Sequence, residues 1–336
     1  MQAVVTGGTG FLGSHLVKLL QERGMRVRVL LRPGTPASVL PPDVDYHVGD
    51  IRDGVAVREA FAGATTVFHL AALVAPFGPR HRYLEINVGG TETVVEACRA
   101  AKVERLVYVS STVVYGIECD HRGLTEDASC AAAFIAPYEE SKVKAEHLVV
   151  ERMRETGLPA VILRPGMGWG PGERVFLPVL LGNLRSRLFF MVGNGRNTLD
   201  LSYASNIAHA LWLAAMRPEA VGRIYNVADG FGITCRHFLG ALAKEMELPV
   251  PRRWIPKALV APLVGLLLEA EPEPKENFRP SRAALLRLCA LYRDSEPDIS
   301  RIRKELGYEP PVDFAAGVAE TVAWYRQTFS ADRAGS

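Results

Sequence analysis

The chain is 336 residues long and 48% apolar, with 39 basic and 37 acidic side chains giving a formal net charge of +2. That length carries two domains, or one α/β domain with a smaller one attached. The apolar content supports a sizeable core and excludes wholesale disorder, and the near-neutral balance argues against a nucleic-acid binder, which concentrates basic charge.

Five scattered cysteines, Cys98, Cys119, Cys130, Cys235 and Cys289, form no Cys-x-x-Cys pair. Neither a disulfide framework nor a structural zinc site is expected, and no metal is assigned. The chain opens directly on an apolar strand, Ala3-Val4-Val5, with no signal peptide ahead of it. This reads as an intracellular, cytoplasmic protein.

In chain order, short valine- and leucine-rich runs alternate with helical patterns. Strands are expected at 3–5, 27–31, 46–48, 67–70, 105–109 and 160–163. Strands covered by helices on both faces have this composition. Helices are expected at 11–22, 55–61, 91–100 and 139–154; the first carries Leu12, Leu16, Leu19 and Leu20 on one face and stops at Gly24. The alternation predicts an α/β fold, a Rossmann-type doubly wound parallel sheet. After Arg164 the rhythm changes. Pro165 to Gly172 reads as a loop by composition, and 224–227 reads as a strand rejoining the sheet. The expected division is a dinucleotide-binding domain over 1–165, with 201–230 returning to it. A smaller, discontinuous substrate domain takes 166–200 and 231–329, with a frayed tail at 330–336.

No apolar stretch reaches the ~18–20 residues of a membrane span. The nearest, Ala258 to Leu268, is short and contains Pro262. It reads as a buried helix; the alternatives are a lid over an apolar substrate or a weak membrane-surface contact through 254–268.

The turn Thr6-Gly7-Gly8-Thr9-Gly10-Phe11-Leu12-Gly13 lies between the first strand and the first helix. That context lets glycine backbone approach a dinucleotide pyrophosphate at a helix N-terminus, and Gly7, Gly10 and Gly13 are the candidate residues. The second strand ends Leu31-Arg32 where an NAD binder carries an acidic residue. Arg32 would pair with a 2′-phosphate, which favours NADP(H). NAD(H) is the alternative if Arg32 stacks on adenine or lies in solvent. Asp50 would accept from the adenine amino group or act as a helix N-cap.

Tyr138 and Lys142 are four apart and share a helix face. An ammonium beside a phenol favours the phenolate and lowers the tyrosine pKa, making Tyr138 a workable acid/base. Lys142 would also hold the nicotinamide ribose. The fifth strand ends Ser110-Ser111-Thr112 at the carboxyl edge. Ser111 is the choice for orienting a substrate oxygen, with Ser110 and Thr112 as register alternatives. Read as bland surface, Glu139 and Glu140 would instead pair with Lys144.

With these motifs the chain resembles an extended short-chain dehydrogenase/reductase. The resemblance runs from the glycine turn to Leu306-Gly307-Tyr308-Glu309-Pro310. It passes through Gly49-Asp50-Ile51-Arg52-Asp53, Phe68-His69-Leu70-Ala71-Ala72, Asn87-Val88-Gly89-Gly90-Thr91 and Arg164-Pro165-Gly166. It implies cofactor contacts at Phe11, Leu12, Ile51 and Val109. It also implies that Leu70, Ala71 and Ala72 lie along the cofactor, that Asn87 supports the nicotinamide side, and that Pro165 and Met167 pass beside the carboxamide. Leu31-Arg32 departs from the acidic residue of many nucleotide-sugar members. Asn206 stands where aspartate is frequent.

Asn206, Gly193-Asn194-Gly195-Arg196-Asn197, Arg252-Arg253-Trp254-Ile255-Pro256 and Arg279-Pro280-Ser281-Arg282 are similar to the 3β-hydroxysteroid dehydrogenase branch. That branch includes bacterial 2-alkyl-3-ketoalkanoate reductases. The resemblance implies an apolar, sterol-like or 2-alkyl-3-ketoacid-like substrate, whose pocket Trp254 and 258–268 would line unless they pack as core. It also implies a homodimer through the helices at 91–100 and 139–154. The rivals are a nucleotide-sugar epimerase or dehydratase that retains NAD, with Arg252, Arg253, Arg279 and Arg282 on the pyrophosphate, and a dinucleotide-sensing protein without turnover.

Overall fold

The structure is a computed structural model that describes residues 2–75, 78–117, 120–185, 190–260 and 293–329. Its first half alternates β1 (Gln2–Thr6), α1 (Phe11–Glu22), β2 (Arg26–Leu31), β3 (Asp45–Val48), α2 (Gly54–Ala60) and β4 (Thr66–His69). A short α3 (Arg80–Tyr83) then runs through a π-type turn, Leu84–Gly89, into α4 (Gly90–Ala101), followed by β5 (Arg105–Val109). The helix expected from Thr91 thus begins at Arg80. The wide turn carries Gly89-Gly90 without a break, and a side chain at Gly90 would meet Ile51 Cδ1 at 2.5 Å.

Next come β6 (His121–Leu124), α5 (Pro137–Thr156), β7 (Ala160–Pro165), β8 (Met167–Trp169), α6 (Leu177–Arg185), β9 (Met191–Val192) and β10 (Leu201–Tyr203). The chain continues with α7 (Ala204–Met216), β11 (Ile224–Val227), α8 (Cys235–Glu245), β12 (Trp254–Ile255), β13 (Ser295–Pro297), α9 (Ser300–Leu306) and α10 (Phe314–Phe329).

Seven strands form one parallel sheet in the order β11-β7-β5-β4-β1-β2-β3. The order reverses between β1 and β4, and the crevice outside the carboxyl ends at such a reversal is where open α/β sheets bind ligands. Leu16, Val17 and Leu20 of α1 pack one face together with α7 and Ile302 of α9. Val57, Val94, Val95 and Val149, from α2, α4 and α5, pack the other. Arg105 is tolerated inside β5 because its guanidinium donates to the carbonyls of Ala214 and Arg217 at the end of α7.

Composition misread one segment. Within Pro165–Gly172, residues 167–169 form β8, paired in parallel with β10. A side chain at Gly166 would stand 2.0 Å from the Asp200 carbonyl, so this glycine marks a close approach between strands and not a flexible loop. Trp169, buried between Tyr203 and Phe238, centres a further cluster built from α6, α8 and α10. Trp254, a candidate for pocket or core, is 48% exposed on β12. Residues 261–268, Arg279 and Arg282 lie outside the described residues. Among the described residues no helix is long and apolar enough to cross a membrane, and no group of three His, Cys, Asp or Glu side chains could hold a metal.

Candidate active site

The glycine turn closes as its spacing predicts. Gly7 has a left-handed backbone (φ 74°), and a side chain there would meet Ala71 N at 2.7 Å. A side chain at Gly13 would stand 2.0 Å from the Gly7 carbonyl, which welds the first turn of α1 onto the loop. Gly10 caps α1 without a side-chain hydrogen bond. The first-turn N–H groups of Phe11, Leu12 and Gly13 therefore receive no side-chain cap and present the positive end of the helix dipole, which suits a pyrophosphate. The Phe11 ring packs beneath Gly168 and Gly172, joining this turn to the strap around β8.

Arg32 is exposed past the end of β2, close enough to Asp50 to lower its carboxyl pKa. The main cause of that lowering is Arg52, which binds Asp50 through its backbone N–H and its guanidinium. Asp50 is not a helix N-cap. Asp53 has that role, accepting from Val55 N and Ala56 N at 2.9 and 3.2 Å, because it alone immediately precedes α2. Ile51 is buried against Gly90.

Beyond β4, Leu70 N and Ala71 N donate to the carbonyl and hydroxyl of Thr6, which lays Leu70–Ala72 beside the glycine turn. Asn87 is 2% exposed and is a fastener. Its amide oxygen accepts from Leu73 N at 2.6 Å, and its amide nitrogen donates to the Leu73 carbonyl and to Ser141 Oγ. The strand-end loop is thereby tied to α5 directly beside Lys142.

Helix α5 starts at Pro137, with Glu139 and Glu140 in its first turn, where acidic groups complement the helix dipole. Glu139 reaches back to accept from Ile135 N at 2.9 Å. Glu140, 5% exposed at its side chain, is gripped by Arg80 and by Lys144. The pairing with Lys144 thus exists for Glu140 alone, and it coexists with the cluster on the other side of the helix.

In that cluster the Ser111 hydroxyl, which accepts from Val113 N at 3.3 Å, lies near enough to the Tyr138 phenol to favour its ionised form. Neither register alternative does so. Ser110 Oγ is buried with no partner, and Thr112 donates to Asp200 Oδ2 at 2.7 Å. Lys142 is 4% exposed; its ammonium donates to the Val109 carbonyl at 2.6 Å and sits 5.1 Å from the centre of the Tyr108 ring. Pro165 ends β7, and Met167 N donates to the Asp200 carbonyl at 2.8 Å, placing this strap next to the Thr112–Asp200 contact.

The titration expected of the pair needs correcting. Burial pushes the Tyr138 phenol up to about 12, and the nearby Ser111 hydroxyl only partly offsets this. Burial likewise pushes Lys142 down to about 8, with Glu146 acting in the opposite direction. Desolvation outweighs mutual attraction because the ammonium points at Val109 and not at the phenol. The result is a phenol held in its protonated form and an ammonium that loses its proton unusually easily.

The profile of the NAD dependent epimerase/dehydratase family matches residues 3–228. The chain belongs to that family. Within it, the chain is an oxidoreductase of the short-chain dehydrogenase/reductase type. It is 34% identical to a 2-alkyl-3-oxoalkanoate reductase of Stenotrophomonas maltophilia, over 95% of this chain and 97% of that protein. It is 32% identical to a 3-beta-hydroxysteroid dehydrogenase of Mycolicibacterium neoaurum, over 98% and 92%. Its fold superposes on the dTDP-glucose 4,6-dehydratase of Streptomyces venezuelae, a structure with NAD bound, with a TM-score of 0.76 at 26% identity, covering 98% of each chain.

As a family member the chain also accounts for its own departure at Asn206. The Asn206 amide donates at 2.8 Å to Asp229, a carboxylate 1% exposed that also accepts from Tyr203 N and Trp169 Nε1. Burial pushes Asp229 upward, and a second carboxylate at 206 would repel it. Sequence reading assigned no role to Asp229, Asp200, Tyr108 or His69. Only His69 carried a signal, as a lone histidine at a strand end.

Proposed function

We propose that this enzyme interconverts a secondary alcohol and a ketone on an apolar substrate, sterol-like or 2-alkyl-3-ketoacid-like, with a preference for NADP(H). The observation that carries the reading is the convergence of Ser111, Tyr138 and buried Lys142 at the sheet edge that also holds the uncapped glycine turn. The nicotinamide coenzyme supplies or accepts the hydride.

The residues of the chain do the rest. Phe11, Leu12 and Gly13 bind the pyrophosphate through their N–H groups, and Arg32 binds the 2′-phosphate. Leu70–Ala72, Asn87, Val109, Pro165 and Met167 line the coenzyme path, with Asp50 and Ile51 at the adenine end. In the reductive direction Ser111 and Tyr138 donate hydrogen bonds to the carbonyl oxygen. Tyr138 then delivers its proton to that oxygen, and the Lys142 ammonium stabilises the phenolate left behind. Residues 1–165 with 201–230 would form the coenzyme domain; 166–200 and 231–329 would close over the substrate. The relatives named for oxoalkanoate and steroid substrates support the apolar class.

The test follows absorbance of the reduced nicotinamide while the protein meets 3-ketosteroids, 2-alkyl-3-ketoacids and UDP-hexoses. Stoichiometric oxidation of coenzyme with an apolar ketone, faster with NADPH than NADH, is expected. UDP-hexose conversion without net coenzyme use, and no turnover of any ketone, would overturn the proposal in favour of an epimerase.

A further inference from the structure

Lys142 is an ammonium taken almost wholly out of water, and its surroundings are sparse. On its own helix, Glu146 lies one turn on, but Arg164 holds that carboxylate through three hydrogen bonds. Tyr138, one turn back, points its phenol at Ser111. From β5, Lys142 meets the Val109 carbonyl and the Tyr108 ring face. From β4, His69 is near enough to be disfavoured as a cation by the ammonium. Lys142 therefore faces one carbonyl and one aromatic face. A desolvated cation gains most from a ring quadrupole in this setting, where water no longer competes.

The ring is itself fixed. Thr6, His69 and Tyr108 are consecutive partners in one register row across β1, β4 and β5. Thr6 Oγ1 and His69 Nδ1 are 2.7 Å apart, and His69 Nε2 and Thr91 Oγ1 are 2.9 Å apart. Thr91 donates to the Asn87 carbonyl at 2.6 Å, so it must accept from His69, which sets the histidine tautomer. His69 Nδ1 then accepts from Thr6, and the His69 ring packs against the Tyr108 ring with centroids 5.7 Å apart, Thr91 lying beside the Tyr108 hydroxyl. Both ring nitrogens of His69 are partnered, and burial keeps the ring neutral. Packing alone would not call for three polar side chains in one buried row at the point where the strand order reverses.

We propose that Tyr108 is the positioning residue for the Lys142 ammonium, and that the buried chain Thr6–His69–Thr91 holds its ring in place. Lys142 is thus tied, through the Tyr108 ring, the His69 ring and the Thr6 hydrogen bond, to the end of the strand that carries the glycine turn. Tyr108 acts by holding a proton on Lys142. The inference rests on the assignment of Lys142 to the nicotinamide ribose.

The experiment titrates NADPH binding by nucleotide fluorescence from pH 6 to 10, without substrate. Binding to the unaltered protein weakens as Lys142 deprotonates; Lys142→Met removes that alkaline limb. Tyr108→Leu is expected to move the limb down by about one pH unit, a tenfold weaker hold on the proton. Tyr108→Phe, which keeps the ring, restores it to within about threefold of the unaltered protein. Thr91→Val, which frees the ring without removing it, shifts the limb in the same direction as Tyr108→Leu by less. It decides the matter if the leucine variant fails to fold. A limb that stays put in Tyr108→Leu or in Thr91→Val, or that is absent in the unaltered protein, overturns the inference alone. No NADPH binding at any pH overturns the functional reading beneath it.

Discussion

One face of α5 carries two buried polar groups, one turn apart, built on opposite principles. At Lys142 the charge is underpaired: one carbonyl, one ring, and a phenol turned toward Ser111. At Glu146 the charge is saturated. Arg164 binds it, and the same guanidinium donates to the Tyr115 hydroxyl at 2.8 Å and to the Glu126 carbonyl. Tyr115 in turn donates to Asn226 on β11. Both groups are desolvated. The first has one carbonyl and one ring for partners, the second three hydrogen bonds from a single guanidinium. The saturated group holds helix to sheet; the unsaturated one is where chemistry is available.

Three substitutions would break or sharpen this contrast. Tyr138→Phe removes the acid and leaves the packing. It should lower turnover by about 10²–10⁴-fold with a melting temperature close to the parent's, read by steady-state kinetics and calorimetry; undiminished turnover would remove Tyr138 from the mechanism. Arg164→Met strands the Glu146 carboxylate in the core. Denaturant unfolding should show a loss of about 3–5 kcal/mol, since breaking a buried pair leaves an uncompensated charge. A stable Arg164→Met protein would mean the second group is no clamp.

The third change concerns the row beneath the site. Burial pushes His69 down to about 3 from an ordinary 6.5, so the unfolded chain takes up the proton first. Its contribution is therefore whole above pH 6.5 and is lost as pH falls toward 3, on the order of a few kcal/mol. His69→Gln should flatten that acid slope in a melting-temperature series. An unchanged slope would show that His69 is not the group being titrated.

Much of this was legible in one dimension. The glycine spacing, the valine-rich strands and the Tyr138/Lys142 interval were local signals with fixed periods. The structure keeps the strands within a few residues of expectation. What misled was composition read without partners. Glycines at 166–172 suggested a loop, yet Gly166 and Gly168 are small because Asp200 and Phe11 press against them. Asp50 resembled an N-cap, but the cap fell to the residue at the helix boundary. The lysine was expected to lower the tyrosine pKa, but a shared helix face does not decide where a flexible four-carbon side chain ends.

The amino-acid sequence by itself therefore determined the parallel α/β framework and singled out the glycine turn and the Tyr138/Lys142 interval as candidates, because each rests on short-range periodicity and backbone permission. Tertiary structure alone decided which of three hydroxyls meets Tyr138 and how Asn206 is balanced by Asp229. It alone also brought Thr6, His69 and Tyr108 into one row. That row depends on strand register across residues about 40 to 63 apart along the chain, and register is set by how whole strands pack, which no local pattern encodes.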